Sequence, residues 1–192
     1  TVKCCTQNGV RGGSATVHFP IWHKEIEDII VLKNNKGTED NRVRKLDYSI
    51  QLSKLFYERF INDEDITLFS PHEVPELYKA WGSDEFDELY KTAERKTSVS
   101  KKKVSAQSLM FDMLKERAET GRIYIMNIDH CNSHSSFKDR VYMSNLCQEI
   151  TLPTDPIQHI DGEGEIALCI LSAINVGKLN YLEDLEGLCD LA

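Results

Sequence analysis

The sequence predicts a mixed α/β fold, arranged in layers or as a barrel. Three observations carry that expectation. Residues 105–120 have helical periodicity, with Leu109, Met110, Met113 and Leu114 inward, and Gly121 stands where a left-handed helix stop belongs. Ile123-Tyr124-Ile125-Met126-Asn127-Ile128 follows at once and reads as a buried strand. Helical and extended segments alternate elsewhere, which is the order of an α/β architecture.

The remaining elements follow along the chain. Residues 1–20 hold a short lead-in, the glycine-rich loop Asn8-Gly9-Val10-Arg11-Gly12-Gly13, and an apolar run from Ala15 to Phe19 that Pro20 ends. Residues 21–32 place Ile21, Trp22, Ile26, Ile29 and Ile30 at helical spacing. A polar loop covers 33–41. A second helix is predicted over 42–60 from Val43, Leu46, Ile50, Leu55 and Phe56. Residues 65–71 read as a short strand or loop. Residues 73–81 and 84–94 read as two short helices, with Asp84 a candidate N-cap. Residues 145–152 and 166–174 read as further extended segments, and a last helix begins near Leu182. The organisation expected is a loop and strand over 1–20, a mainly helical part over 21–122, and strands, a loop and the start of a helix over 123–192.

Bulk properties narrow the class. The chain has 192 residues, 41% hydrophobic and 28% charged, which suits one globular domain or a large piece of one. A net charge of -8 disfavours nucleic acid and anionic membranes as partners. The basic run Lys101-Lys102-Lys103 reads as a solvated helix start. No apolar run approaches the ~20 residues that span a bilayer, and no signal-peptide pattern opens the chain. The six cysteines form no CxxC pair and read as cytosolic thiols, which points to a cytoplasmic location. The chain starts without methionine and stops at Leu191-Ala192 inside the predicted last helix. A fragment, a processed chain or a split-gene product is therefore expected.

Four places could carry chemistry. In Ser144-Asn145-Leu146-Cys147-Gln148-Glu149-Ile150, an extended chain would turn Asn145, Cys147 and Glu149 to one side. Amide, thiol and carboxylate would then stand roughly 6–7 Å apart, about the width of a sugar ring. A strand with one polar face in water explains the same pattern. In Asp129-His130-Cys131-Asn132-Ser133-His134, the spacing matches no closed zinc site and no fourth ligand is evident, so a polar turn after the 123–128 strand is expected and no metal. Cys169 lies in an apolar run and reads as a buried small hydrophobe, and Cys189 as packing on the last helix. The loop with Gln7 and Arg11 lacks the ending of a phosphate-binding Walker loop, and is either a weak nucleotide signal or a flexible turn.

Several segments form a colinear set: Thr6-Gln7-Asn8-Gly9-Val10-Arg11-Gly12-Gly13, Leu32-Lys33-Asn34-Asn35, Asn41-Arg42-Val43-Arg44 and Ile66-Thr67-Leu68-Phe69-Ser70-Pro71-His72. Gly121-Arg122-Ile123-Tyr124-Ile125, Ser144-Asn145-Leu146-Cys147-Gln148-Glu149, Leu152-Pro153-Thr154 and Gly164-Glu165-Ile166-Ala167-Leu168-Cys169 continue it. Taken together and in order, these segments resemble the large subunit of class I ribonucleotide reductases. The resemblance implies part of a ten-stranded α/β barrel, with a finger loop presenting Cys147.

It further implies that Cys147 becomes a thiyl radical, that Glu149 is the base on the substrate 3′-hydroxyl, and that Asn145 orients the ribose. Cys169 would be one of two cysteines that end as a disulfide. Gln7 and Arg11 would lie on a specificity loop responding to bound effectors. The implied activity is reduction of ribonucleoside diphosphates to deoxyribonucleotides for DNA synthesis. The implied partners are a metal-containing small (beta) subunit that supplies the radical, the remaining parts of the large subunit, and a thioredoxin- or glutaredoxin-type reductant. No cofactor is expected on this chain itself, and dNTP or ATP effectors belong to the full subunit. The family's ATP-cone region, partner cysteine, radical-relay tyrosines and C-terminal redox cysteines have no match here, so the chain alone is expected to be inactive. Two other readings remain: another thiyl-radical enzyme of the glycyl-radical kind, although its motif is missing, and a non-catalytic assembly partner.

Overall fold

The structure, a computed structural model, describes residues 2–157, 159, 161–168 and 171–191. After a 3-10 turn at Val2–Cys4 come β1 (Thr6–Gln7), β2 (Arg11–Gly12), β3 (Thr16–Pro20) and α1 (Ile26–Ile30). Next are β4 (Asp47–Leu52), α2 (Lys54–Ile61), β5 (Asp65–Phe69), α3 (Pro75–Ala80), α4 (Phe86–Arg95), β6 (Lys101–Ser105) and α5 (Ala106–Thr120). The last part holds β7 (Ile123–Asn127), α6 (Ile128–Ser133), β8 (Met143–Ser144), β9 (Thr151–Leu152) and α7 (Asp184–Leu191).

The organising feature is a parallel sheet in the order β3-β4-β7. Its register aligns His18 with Ser49 and Tyr124, and Pro20 with Gln51 and Met126. Successive strand residues point to opposite faces. Thr16, His18, Ser49, Gln51, Tyr124 and Met126 therefore share one face, which is mostly polar. Val17, Phe19, Tyr48, Ile50, Leu52, Ile123 and Ile125 share the other, which is apolar. Ile50, Leu52 and Ile123 of that face join one core with residues of α1, α2 and α5. A parallel sheet with helices on its apolar face and a polar inner face is the construction of an α/β barrel wall.

Between β4 and β7 the chain makes a long excursion through α2 to α5, with β5 and β6 paired antiparallel. An aromatic cluster consolidates it. Trp22 meets Trp81 edge-on at 5.9 Å, and Trp81 meets Phe86 at 4.6 Å. The Trp81 indole N–H donates to Gln51 Oε1 at 2.7 Å, which ties the excursion to the sheet's polar face. The Tyr90 hydroxyl closes a reciprocal pair with the Thr67 backbone, and burial pushes its pKa up. Arg59 grips Glu94 with two hydrogen bonds of 2.7 and 2.6 Å. At the ends of α5, Ser105 Oγ accepts the Ser108 amide at 3.2 Å and Gly121 takes φ +66°.

Several expectations need correction. Residues 42–60 are not one helix: 47–52 form the central strand and only 54–61 are helical. The three-to-four spacing of Val43, Leu46 and Ile50 imitates a helix, but the alternation Tyr48-Ser49-Ile50-Gln51-Leu52 is what the sheet uses. Residues 21–25 are turns, so α1 starts only at Ile26. Lys101-Lys102-Lys103 begins β6 rather than a helix. Leu114 is 41% exposed rather than inward. Asp84 does not cap α4, whose N-cap position is Glu85. Residues 129–134 form α6 and its C-cap instead of a polar turn. Residues 145–150 are a turn, not a strand, and no strand forms among the described residues of 161–175. Ile166, Leu168 and Leu171 are exposed there, since nothing among the described residues covers them. Cys189 is exposed rather than packed. Cys169 lies outside the described residues. Among the described residues, no helix is long and apolar enough to cross a membrane.

Candidate active site

β8 and β9 pair antiparallel, Met143 with Leu152 and Ser144 with Thr151, and the six residues between them turn back over the polar face of the sheet. The turn is built by Asn145. Its backbone C=O accepts the Gln148 N–H at 3.2 Å, and its N–H donates to the Ile150 C=O at 3.1 Å. Its side-chain Oδ1 accepts the Ile150 N–H at 3.0 Å and the Ser144 hydroxyl at 3.1 Å. Asn145 is accordingly 2% exposed.

Cys147 and Glu149 are exposed, and Gln148 between them has φ +68°. An alternating strand face is thus not how these residues are presented. Asn145, Cys147 and Glu149 do stand on one finger-like turn, but with the amide buried as its staple and the thiol and carboxylate outward. The correction has a simple cause. Among the described residues the run between Ser144 and Thr151 pairs with no strand, so Asn145, Gln148 and Ile150 bond within the turn and the Leu146 C=O turns to a side chain of the sheet.

Three contacts dock this finger on the sheet. The Thr16 hydroxyl of β3 donates to the Leu146 C=O at 2.5 Å. The Ser49 hydroxyl of β4 donates to Gln148 Oε1 at 2.5 Å. Gln148 Nε2 donates to the Ile125 C=O of β7 at 2.7 Å. Gln51 also donates to the Tyr142 C=O just before β8. Burial raises the pKa of Tyr124, and the nearby charges of Cys147, Asp47 and Glu149 add to the effect. His18 lies under the finger. Burial lowers its pKa to about 4, and the nearby Ser144 backbone offsets this only slightly, without a well-formed hydrogen bond to either ring nitrogen. Sequence reasoning missed Thr16, His18, Ser49, Gln51, Tyr124 and Gln148. The signal available was the set of polar residues alternating with Val17, Tyr48, Ile50 and Leu52.

A cleft of about 400 Å³ lies between the C-terminal end of β7, α6 and the finger, lined by Asn127, His130, Cys131, His134, Gln148 and Thr151 among others. Burial, with Asp129 nearby, raises the Cys131 thiol pKa, so this sulfur stays protonated. Among the described residues no group of three or more side chains converges on a metal position. A larger cavity, about 870 Å³ between Lys54, Asp84, Asp129 and Arg140, is not lined by Cys147. Size alone does not locate the chemistry here.

Gln7 and Arg11 sit opposite each other on a separate small hairpin. Asn8 and Gly9 supply its positive φ values of 49° and 76°. Arg11 and Val10 project outward. Gly13 is obligatory at the base, because a Cβ there would lie 2.5 Å from the Cys5 and Val2 carbonyl oxygens.

A parallel sheet with helices on its apolar face and a cysteine-bearing finger across its polar face fits a segment of an α/β barrel. The family model for the ribonucleotide reductase barrel domain matches residues 1–191, and the chain belongs to that family. The chain is 53% identical over 197 aligned positions to the ribonucleoside-diphosphate reductase subunit alpha of Buchnera aphidicola from Schizaphis graminum, covering all of this chain and 26% of that protein. The subunit of the same name from Haemophilus influenzae is 55% identical over 188 positions, covering 95% of this chain and 25% of that protein. Subunit alpha of ribonucleoside-diphosphate reductase 1 from Escherichia coli is 54% identical over 161 positions, covering 81% of this chain and 21% of that protein. The chain spans about a quarter of the length of these relatives.

Proposed function

We propose that this chain supplies the radical-bearing part of a ribonucleoside-diphosphate reductase large subunit. The observation that carries the reading is the finger, which holds Cys147 outward above the polar face of the barrel wall. Cys147, oxidised to a thiyl radical, takes the hydrogen from C3′ of the ribose: an S–H bond forms as the C–H bond breaks. The same S–H returns the hydrogen at the end of the cycle. Glu149, two residues on and equally outward, takes the proton of the 3′-hydroxyl. Asn145 keeps the turn in shape through Oδ1, and its amide nitrogen is the group that would donate to a substrate hydroxyl. Cys169 and a second cysteine outside this chain would protonate the 2′-hydroxyl so that its C–O bond breaks and water leaves, give two electrons to C2′, and close as a disulfide. Gln7 and Arg11 would relay which effector nucleotide, dNTP or ATP, the full subunit holds.

The radical would come from a metal-containing small subunit, and the electrons from a thioredoxin- or glutaredoxin-type protein. The remaining parts of the large subunit would complete the barrel around the finger and keep water from the radical. The chemistry and the acidic surface suit a cytoplasmic enzyme of deoxyribonucleotide synthesis. Cys147→Ser in the complete reductase tests the reading. An alcohol O–H is too strong a bond for the same oxidant, so turnover should vanish while the subunits still assemble. Turnover at the wild-type rate in that variant overturns the assignment.

A further inference from the structure

We propose that Gln148 is the positioning residue for Cys147: a side chain that does not itself react but sets where the thiol stands, by clamping the finger to two strands of the sheet while the Leu146 peptide holds the third. The inference rests on the reading of Cys147 given above. The two residues flanking Cys147 carry the clamp. On one side the Leu146 C=O accepts the Thr16 hydroxyl of β3 at 2.5 Å. On the other, both ends of the Gln148 amide are used, Oε1 by the Ser49 hydroxyl of β4 at 2.5 Å and Nε2 by the Ile125 C=O of β7 at 2.7 Å. A carboxylate could not serve both partners, since one contact needs an acceptor and the other a donor. The backbone reinforces the point. Gln148 holds φ +68°, a left-handed conformation that side-chain-bearing residues adopt reluctantly, and such residues persist where surrounding contacts over-determine them. Thr16, Ser49 and the Ile125 peptide lie on three adjacent, register-locked strands. Any relaxation of Gln148 would therefore release the finger from β4 and β7 and leave only the Leu146 contact to β3.

The test uses two readouts, three single variants and one double variant. Gln148→Gly keeps the positive φ comfortable and removes both hooks. Ser49→Ala removes the β4 hook alone. Gln148→Glu keeps the acceptor for Ser49 and loses the donor to Ile125. Amide hydrogen exchange of this chain, followed by mass spectrometry, should show protection at 145–150 falling roughly tenfold or more in Gln148→Gly and less in the other two, with β4 and β7 still protected. Ser49→Ala should add nothing in the Gln148→Gly background, because the hook is already gone. In the complete reductase, Gln148→Gly should lower kcat by on the order of 10- to 100-fold with substrate KM little changed, and Gln148→Glu should recover part of the loss. Unchanged exchange at 145–150 in Gln148→Gly overturns the clamp. A loosened finger with unchanged kcat overturns the positioning role. Failure of the underlying reading is separate, because it would appear as turnover surviving Cys147→Ser, whereas the exchange arm reads the clamp without reference to activity.

Discussion

Glu149 and Asn145 flank Cys147 at equal spacing in the sequence, yet the fold uses them in opposite ways. Asn145 is buried and spends its carbonyl oxygen on the Ile150 amide and the Ser144 hydroxyl, so replacing it perturbs the turn before it perturbs any ligand. Glu149 is exposed beside the thiol and can act on a substrate without unbuilding the turn. Glu149→Gln then separates shape from proton transfer, since the amide keeps the size, exchanges an acceptor for a donor and loses the proposed base. In the complete reductase, turnover should fall about 10²–10⁴-fold, the usual range for a lost general base. Substrate affinity, measured by equilibrium binding, should stay near that of the unsubstituted enzyme. A near-normal rate would mean that another group takes the 3′-hydroxyl proton.

The central sheet shows why some elements were legible and others were not. The α5–β7 passage was readable because every local signal agrees: Ser105 caps, the periodicity is clean, Gly121 stops the helix at φ +66°, and an apolar run follows. β4 was not, because Ser49 and Gln51 are buried polar residues whose partners, Gln148, Tyr142 and Trp81, are 30 to 99 residues away. No local window contains that information. The finger was legible as a set of residues and illegible as a shape, for the same reason. His18 of β3 belongs to this polar face and gives it a measurable signature. Its pKa falls from 6.5 to about 4 in the folded chain, chiefly through burial. The unfolded chain therefore binds the proton more readily between these values, and folding stability rises with pH across that window. Acidification from pH 6.5 to 4 should cost up to about 3 kcal/mol through this ring alone, and no more below pH 4. Urea unfolding of the wild type and of His18→Asn across the window checks this. The variant should lose visibly less stability on acidification, and parallel curves for the two would remove His18 from the account.

Across the whole molecule, burial is divided unevenly. The sheet, α1 to α5 and the aromatic cluster share one continuous core. Beyond β9 the picture changes: Ile166, Leu168 and Leu171 are 71%, 78% and 72% exposed, and α7 has no buried residue. Each large aliphatic side chain left in water forgoes roughly 1.5–3 kcal/mol of burial. Ordering each residue of backbone costs about 1–2 kcal/mol, and here little packing offsets it. The local free energy of opening for residues 171–191 should therefore lie near zero, while that of β4, β7 and α5 approaches the global value. Hydrogen exchange of the chain alone should find peptides within 171–191 almost fully exchanged in seconds, and those of β4 and β7 protected for far longer. If the remaining parts of the large subunit complete the barrel as proposed, adding them should slow exchange in 171–191 and leave the sheet little changed, because the apolar residues there would gain the cover they lack. Strong protection of 171–191 in the chain by itself would mean that this segment packs on the core after all, and that its exposed leucines need no partner.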